Sequence, residues 1–148
     1  MTNVKGNADG KFTATTSDPE LRNFNAEEKF YSLGMGRSLQ GWASLVQSPN
    51  ERRNIALNFI NKGDMENQTF DFADPERQAT GRWWKSTSSS VEAPFLAQSG
   101  TVTVTVDAAK DEAMATFDFV AVSQNGKEKV TVKGKLHLVP NDQRRAKP

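Results

Sequence analysis

The segment from Gly100 to Val139 constrains the fold more than any other part of this sequence. Its apolar residues alternate with polar ones in three runs, which is the pattern of strands that bury one face and expose the other. Asn125-Gly126 lies between the second and third runs and favours a type I′ turn, because both central positions of that turn need positive φ. The segment therefore predicts a three-stranded antiparallel meander.

A turn at Asn125-Gly126 also predicts the register of the second and third strands. On the apolar face it pairs Phe119 with Val132, and on the polar face it sets the opposite charges of Asp118 and Lys133 against each other. The other apolar pairs are Ala121–Val130, Phe117–Gly134, Ala115–Leu136 and Ala113–Leu138. A slip of one residue would turn lysines toward the core, so the pattern and the turn agree on one register.

The meander cannot bury its apolar face alone, so the upstream residues must supply a second layer. Alternation predicts a strand from Val4 to Ala14, and a proline behind a capping residue in Ser17-Asp18-Pro19-Glu20 predicts a short helix. Further predicted strands are Lys29–Arg37, Gly41–Gln47, Arg53–Asn61, Gln68–Phe72, Gly81–Lys85 and an edge strand Ala93–Gln98. About nine or ten strands and at most one short helix indicate an all-β fold, an antiparallel β-sandwich with a closed β-barrel as the alternative.

The length of 148 residues is typical of one domain. Pro140 ends the last predicted strand, so residues 1–140 are predicted to form the β-sandwich domain and residues 141–148 a flexible basic tail. The N-terminal residues lack the apolar core of a signal peptide, and no apolar run approaches the roughly 18 residues of a membrane helix. We therefore expect no transmembrane segment. The protein is expected to be cytoplasmic or exported without a cleaved leader, and a third possibility is that a leader has been removed from this sequence.

Composition argues against several classes of chemistry. A net charge of +1 gives no electrostatic reason to expect nucleic-acid binding. The absence of cysteine excludes disulfides, thiolate metal sites and a cysteine nucleophile.

His137 is the only histidine, and we predict that it is a surface residue without a catalytic role. The acidic residues Asp64, Glu66, Asp71, Asp74 and Glu76 match no calcium-loop spacing and are predicted to be solvated loop charges. We predict no catalytic residue, no metal site, no cofactor and no enzymatic activity.

The adjacent tryptophans Trp83 and Trp84 are the strongest sequence signal for binding. Neighbouring residues of a strand point to opposite faces, so one ring in the core would place the other at the surface. There it would be flanked by Arg82 and Lys85 and could stack on a sugar, an aromatic ring or a protein surface. The competing interpretation keeps both rings largely buried, one of them beneath the serine-rich segment 86–90. Trp42 and Tyr31 are candidates for an extension of the same patch.

Several short motifs resemble those of small bacterial β-sandwich and lipoprotein-like domains of unknown function. The motifs are an early Gly-x-Phe-x-Ala at Gly10, Phe12 and Ala14, a Gly-Thr-Val-Thr strand at residues 100–103, a Thr-Phe-x-Phe strand at residues 116–119 and a closing Val-x-Val-x-Gly strand at residues 130–134. The resemblance implies a fold and no reaction. The lipidated or cleaved leader usual in such proteins is absent from this sequence.

The leading functional hypothesis is a non-enzymatic binding or protein-interaction module with an aromatic surface patch. Its partner would be a protein or a glycan, and a homo-oligomer is left open. One alternative is a carrier of small apolar ligands, with the same strands closed around a barrel cavity. Another is an exported toxin-like or pore-associated β protein.

Overall fold

A computed structural model of the chain describes residues 7–34 and 36–140. All regular structure in these residues is antiparallel β-strand. The strands are β1 (Ala8–Thr16), β2 (Asn23–Asn25), β3 (Glu28–Leu33), β4 (Arg37–Ser44), β5 (Glu51–Phe59), β6 (Met65–Asp71), β7 (Ala79–Thr87), β8 (Phe95–Asp107), β9 (Glu112–Val122) and β10 (Lys129–Pro140). Val4 and the predicted tail 141–148 lie outside the described residues.

The ten strands form one continuous sheet that folds over on itself into two layers. The hydrogen-bonded order is β2–β1–β10–β9–β8–β7–β5–β4–β3, and β6 pairs with β8 beside this path. The 13-residue β8 connects the layers, because its first residues pair with β7 and its later residues pair with β6 on the same edge. The path ends at β2 and β3 and does not close into a barrel. The predicted sandwich-like all-β fold is therefore confirmed, and the barrel alternative is not.

The predicted register of β9 against β10 is confirmed along its whole length, including Phe119 with Val132 and Asp118 with Lys133. The predicted turn type is wrong. Gly126 has a φ of 76°, but Asn125 does not have a positive φ. The loop is instead closed by a hydrogen bond of 2.9 Å from the Ser123 amide to the Glu128 carbonyl. The loop is longer than predicted by one residue on each side. A symmetric change of this kind leaves the pairing of β9 with β10 unchanged, so the predicted register is still correct.

In two places the structure divides or joins strands differently from the prediction. The predicted strand 29–37 is divided between β3 and β4 by a tight hairpin, in which the Gly34 amide donates to the Gly36 carbonyl. The predicted edge strand 93–98 is the beginning of the long internal strand β8, and Pro94 precedes its first residue. Alternation alone cannot detect the first boundary, because a hairpin can preserve the inward and outward phase of its two arms. In β8 the register against β9 shifts between Ala97 and Ser99, which interrupts the alternation within a continuous strand.

The predicted short helix after Ser17 is wrong, because these residues form a turn around a buried carboxylate. The Asp18 carbonyl accepts from the Leu21 amide, and its Oδ1 accepts from the Glu20 amide. Its Oδ2 accepts a 2.7 Å hydrogen bond from Nε of the buried Arg53, whose Nη2 donates to Glu20 at 2.6 Å. Because the Asp18 carboxylate pairs with the buried Arg53, its side chain points into the protein. It therefore cannot act as the solvent-exposed cap of a helix.

Aromatic rings fill the space between the two layers. Phe12 packs edge-on against Phe24 and Phe117, with ring centroids 5.6 and 5.8 Å apart. The same Phe12 ring lies against Gly41 in the opposite layer, where an added Cβ would come within 3.1 Å of the ring and 2.8 Å of the Ala26 Cβ. Glycine at this position therefore allows the layers to approach closely.

A second buried arginine lies at the other end of the core. Arg37, the first residue of β4, forms a 2.9 Å ion pair with Asp111 and a hydrogen bond with the Tyr31 hydroxyl. Tyr31 is fully buried beneath it. Burial raises the pKa of Tyr31 to about 12, since a phenolate loses its hydration there, while the positive charge of Arg37 opposes the shift.

The raised pKa predicts how stability depends on pH. A phenol whose pKa is higher in the folded than in the unfolded protein stabilises the fold fully below about pH 10, and this contribution is lost as the pH rises to about 12. We expect the free energy of unfolding to fall by about 2–3 kcal/mol over that interval. Tyr31 is the only tyrosine, so its tyrosinate absorption can be titrated directly. A midpoint near 10 in the folded protein would contradict the prediction, and Tyr31→Phe is the control without the signal.

Candidate functional site

The outer face of β4, β5 and β7 carries a group of aromatic and cationic side chains. Along β5, Ile55, Leu57 and Phe59 are buried in the core, so Arg52 and Asn54 point to the outer face. The registers of β4, β5 and β7 then bring the outward residues of the three strands into common rows. These rows form a surface on the opposite side of the sheet from the core.

The central row contains two tryptophans with an asparagine between them. Trp42 of β4 lies opposite Asn54 of β5, which lies opposite Trp84 of β7. Two strand spacings separate the tryptophan Cα atoms by about 10 Å. The buried Asn54 amide donates to the Trp84 carbonyl at 3.3 Å and to the Ser86 hydroxyl at 2.9 Å. Asn54 therefore fixes the strand that carries Trp84.

An arginine lies over each of these tryptophan rings. The guanidinium carbon of Arg52 is 3.9 Å from the Trp42 ring centroid, and that of Arg82 is 5.3 Å from the Trp84 ring centroid. Both distances are within the range of cation–π interactions. Trp42 and Trp84 are both half-buried, so part of each ring remains accessible. We call Trp42, Arg52, Arg82 and Trp84 the tryptophan–arginine face.

A hollow of about 410 Å³ lies over this face. Phe30 of β3 and Gln40 of β4 also line it, and one wall is formed by Val91, Glu92 and Pro94. The wall is ordered by backbone hydrogen bonds, from the Glu92 amide to the Lys85 carbonyl at 3.0 Å and within the turn that the serine-rich segment 87–90 makes. The hollow is therefore bounded by a sheet on one side and a hydrogen-bonded turn on the other.

The structure divides the residues predicted to bind a partner between two faces. Trp84, Arg82 and Trp42 lie together on the outer face. Trp83 is buried in the core, with its ring centroid 5.0 Å from that of Phe95. Lys85 shares the phase of Trp83 and so points away from the outer face, and Tyr31 belongs to the core. The predicted patch therefore loses these three residues.

Sequence reasoning missed Arg52 and Phe30. Both reach the face only through cross-strand register, Arg52 beside Trp42 and Phe30 across from Gln40. The sequence did indicate that Arg52 points outward, because it lies two residues from Asn54 in the same strand. The sequence did not indicate its contact with a tryptophan of another strand, because that contact depends on how β4 and β5 align.

A larger hollow, of about 670 Å³, lies on the outer face of the other layer. Five of the fourteen residues that line it are threonines, and Asp118, Lys133 and Lys135 are its charged residues. Lys133 is opposite Asp118 in the sheet, so the two charges oppose each other. Volume favours this hollow, whereas stacked aromatic and guanidinium groups occur at the tryptophan–arginine face. The tryptophan–arginine face is the better candidate for a binding site, because such a site is defined by the groups that it presents.

The remaining sequence candidates have local roles. His137 lies at the surface, as predicted, and hydrogen-bonds Glu112. Asp64 and Asp74, in loops, and Asp71, the last residue of β6, each accept a backbone amide hydrogen bond. Glu66 lies within β6 and not in the predicted loop. Within residues 7–34 and 36–140, no group of three or more acidic or histidine side chains is placed to hold a metal ion. That part of the chain also contains no helix long and apolar enough to cross a membrane.

Comparison of the chain with protein-family models, curated proteins and solved structures finds no match. The resemblance to small bacterial β-sandwich domains therefore stays a prediction. Function has to be argued from the chemistry of the surface itself.

The different positions of the two adjacent tryptophans predict different effects on stability. Trp83→Ala removes a fully buried ring and should lower the free energy of unfolding by about 3–5 kcal/mol. Trp84→Ala removes a half-buried ring from the surface and should cost about 1 kcal/mol. Urea unfolding of both variants measures the difference. Equal large losses would mean that Trp84 is part of the packed interior, and the tryptophan–arginine face would lose its central residue.

Proposed function

We propose that this protein is a non-enzymatic binding module that recognises a glycan or protein partner through the tryptophan–arginine face. The observation that carries the proposal is the pair of half-buried tryptophans, each beneath a guanidinium, in one row of the outer face. Tryptophan and arginine are the residues most enriched among those that dominate binding energies. These residues cluster on the face of the sheet that points away from the core, so core packing does not explain their presence there. Their clustering therefore supports a role in recognition.

The face is supported by rigid structure. β4 and β5 are internal strands of the sheet, each hydrogen-bonded to a neighbour on both sides. The arginine over each ring restricts the ring on one side, and the Asn54 hydrogen bonds hold the backbone of Trp84. Side chains that are already ordered lose less entropy on binding, so a partner gains more net affinity from each contact.

The lining of the hollow is more typical of binding than of catalysis. Glu92 is the only carboxylate among the described residues that line it. Hydrolysis of a glycosidic bond ordinarily uses two carboxyl groups on either side of that bond. The aromatic rings and guanidinium groups supply contact area and hydrogen-bond donors, which is what recognition requires.

A pair of unbiased screens tests the proposal. The wild-type protein, a Trp42→Ala/Trp84→Ala variant and a Met114→Ala control are applied to a glycan array and to a phage-displayed peptide library. Met114 is exposed on the outer face of the other layer, so the control removes a large side chain from elsewhere. We expect ligands of the wild type to bind the double variant at least about thirtyfold more weakly and the control unchanged.

Two outcomes would contradict the proposal. One is ligands that bind the double variant as well as the wild type, because their site would lie elsewhere. The other is a folded wild-type protein that selects no ligand from either screen. Urea unfolding of the double variant establishes that any lost binding does not reflect lost folding.

A further inference from the structure

We infer that the ligand of the tryptophan–arginine face is an anionic glycan. Its sugar rings contact the parts of Trp42 and Trp84 that the guanidinium groups leave accessible, and its carboxylate or sulfate groups bind Arg52 and Arg82. This inference rests on the proposed function and narrows the partner to one chemical class. It follows from how the arginines of the two faces are partnered.

Arginines on the inner and outer faces of this sheet differ in their partners. Arg37 and Arg53 are buried and each contacts carboxylate oxygens, at 2.9 Å from Asp111 and at 2.7 Å from Asp18. Arg52 and Arg82 make no side-chain hydrogen bond or ion pair with any residue in the described part of the chain. Their contacts are the tryptophan rings. The terminal nitrogens of the outer arginines therefore keep their hydrogen-bond donors for a ligand.

Stacking leaves these donors in a geometry suited to a planar or tetrahedral anion. A guanidinium over a ring face uses its flat surface for the contact, so the N–H donors remain at its edge. The Nε of Arg52 is covered and unpaired, with Trp42 beneath the group. The terminal nitrogens present the fork that binds carboxylate, sulfate or phosphate oxygens in pairs. An anion bound there would have charge-assisted hydrogen bonds on an already positioned group.

The two arginines lie on opposite sides of the tryptophan row. Arg52 and Ser86 form the cross-strand pair on one side of the tryptophan row. Ala56 and Arg82 form the cross-strand pair on its other side. The donors are thus distributed diagonally across the face, with the aromatic rings between them. A linear chain that alternates ring faces with anionic groups matches this arrangement better than a single compact anion does.

The other groups of the hollow favour a hydroxyl-rich ligand over a polyanion. Gln40, Ser86 and Thr87 line it with uncharged donors and acceptors, and Glu92 adds a carboxylate. A carboxylate can accept hydrogen bonds from sugar hydroxyls, whereas it repels the closely spaced phosphates of a nucleic acid. The chain as a whole has a net charge of only +1. Sugar rings with occasional acidic substituents fit both the aromatic and the charged parts of the face.

The test uses a glycan array in which uronic-acid, sialic-acid and sulfated oligosaccharides stand beside neutral counterparts of the same backbone. We expect the wild-type protein to bind acidic members more tightly than their neutral counterparts. Arg52→Gln/Arg82→Gln should weaken acidic glycans about tenfold or more and leave neutral ones little changed. Arg52→Lys/Arg82→Lys keeps the charge without the fork and should fall between the two. The carboxylated and sulfated members show which anion is preferred.

The matched control is Lys133→Gln/Lys135→Gln, which removes the same number of positive charges from the other layer. It should bind acidic glycans as the wild type does. An equal loss in this control would mean non-specific attraction and would overturn the inference. Neutral glycans binding as tightly as acidic ones, or peptides as the only ligands, would overturn it while leaving the proposed binding face intact. An array without any bound acidic glycan would overturn it as well.

Discussion

The contact between Phe12 of β1 and Gly41 of β4 determines how the two layers of this protein meet. Beside it, the Ala26 amide donates to the Phe12 carbonyl at 3.0 Å and the Glu27 amide donates to the Trp42 carbonyl at 2.8 Å. Gly41 faces inward against the ring, so Trp42, the next residue, must face outward. The same reasoning applies to β7, where the buried Trp83 places Trp84 on the outer face. The packing of the core thus positions both tryptophans of the proposed recognition surface.

The cost of burying a charge explains the different partners of the four arginines in β4, β5 and β7. Arg37 and Arg53 lie in the interior, where an unpaired guanidinium would be strongly destabilising, and both have carboxylate partners. Arg52 and Arg82 lie on the outer face, where water can solvate their terminal nitrogens. Each can stack on a tryptophan ring without an acidic partner. The free energy of folding therefore does not require these two arginines to be neutralised, and the donors of their terminal nitrogens remain open to an external anion.

Local alternation predicted the parts of the fold in which inward and outward phase decides the structure. It predicted the register of Phe119 with Val132 and the opposite orientations of Trp83 and Trp84. The turn signal failed at Asn125-Gly126, where a longer loop gives the same register, and the capping signal failed at Asp18, whose partner Arg53 is distant in sequence. Arg52 was missed for the same reason, since its stacking on Trp42 depends on the alignment of two strands. Long-range partners and loop geometry are not encoded in a local period.

The indole N–H signals of the three tryptophans report on whether an acidic glycan binds the tryptophan–arginine face. Each signal is assigned in a nitrogen-15 NMR spectrum by single Trp→Phe substitutions and followed while an acidic oligosaccharide is added. We expect the signals of Trp42 and Trp84 to shift together and to saturate, while the signal of the buried Trp83 moves little. A shift confined to Trp83, or saturable binding that leaves Trp42 and Trp84 unchanged, would contradict it.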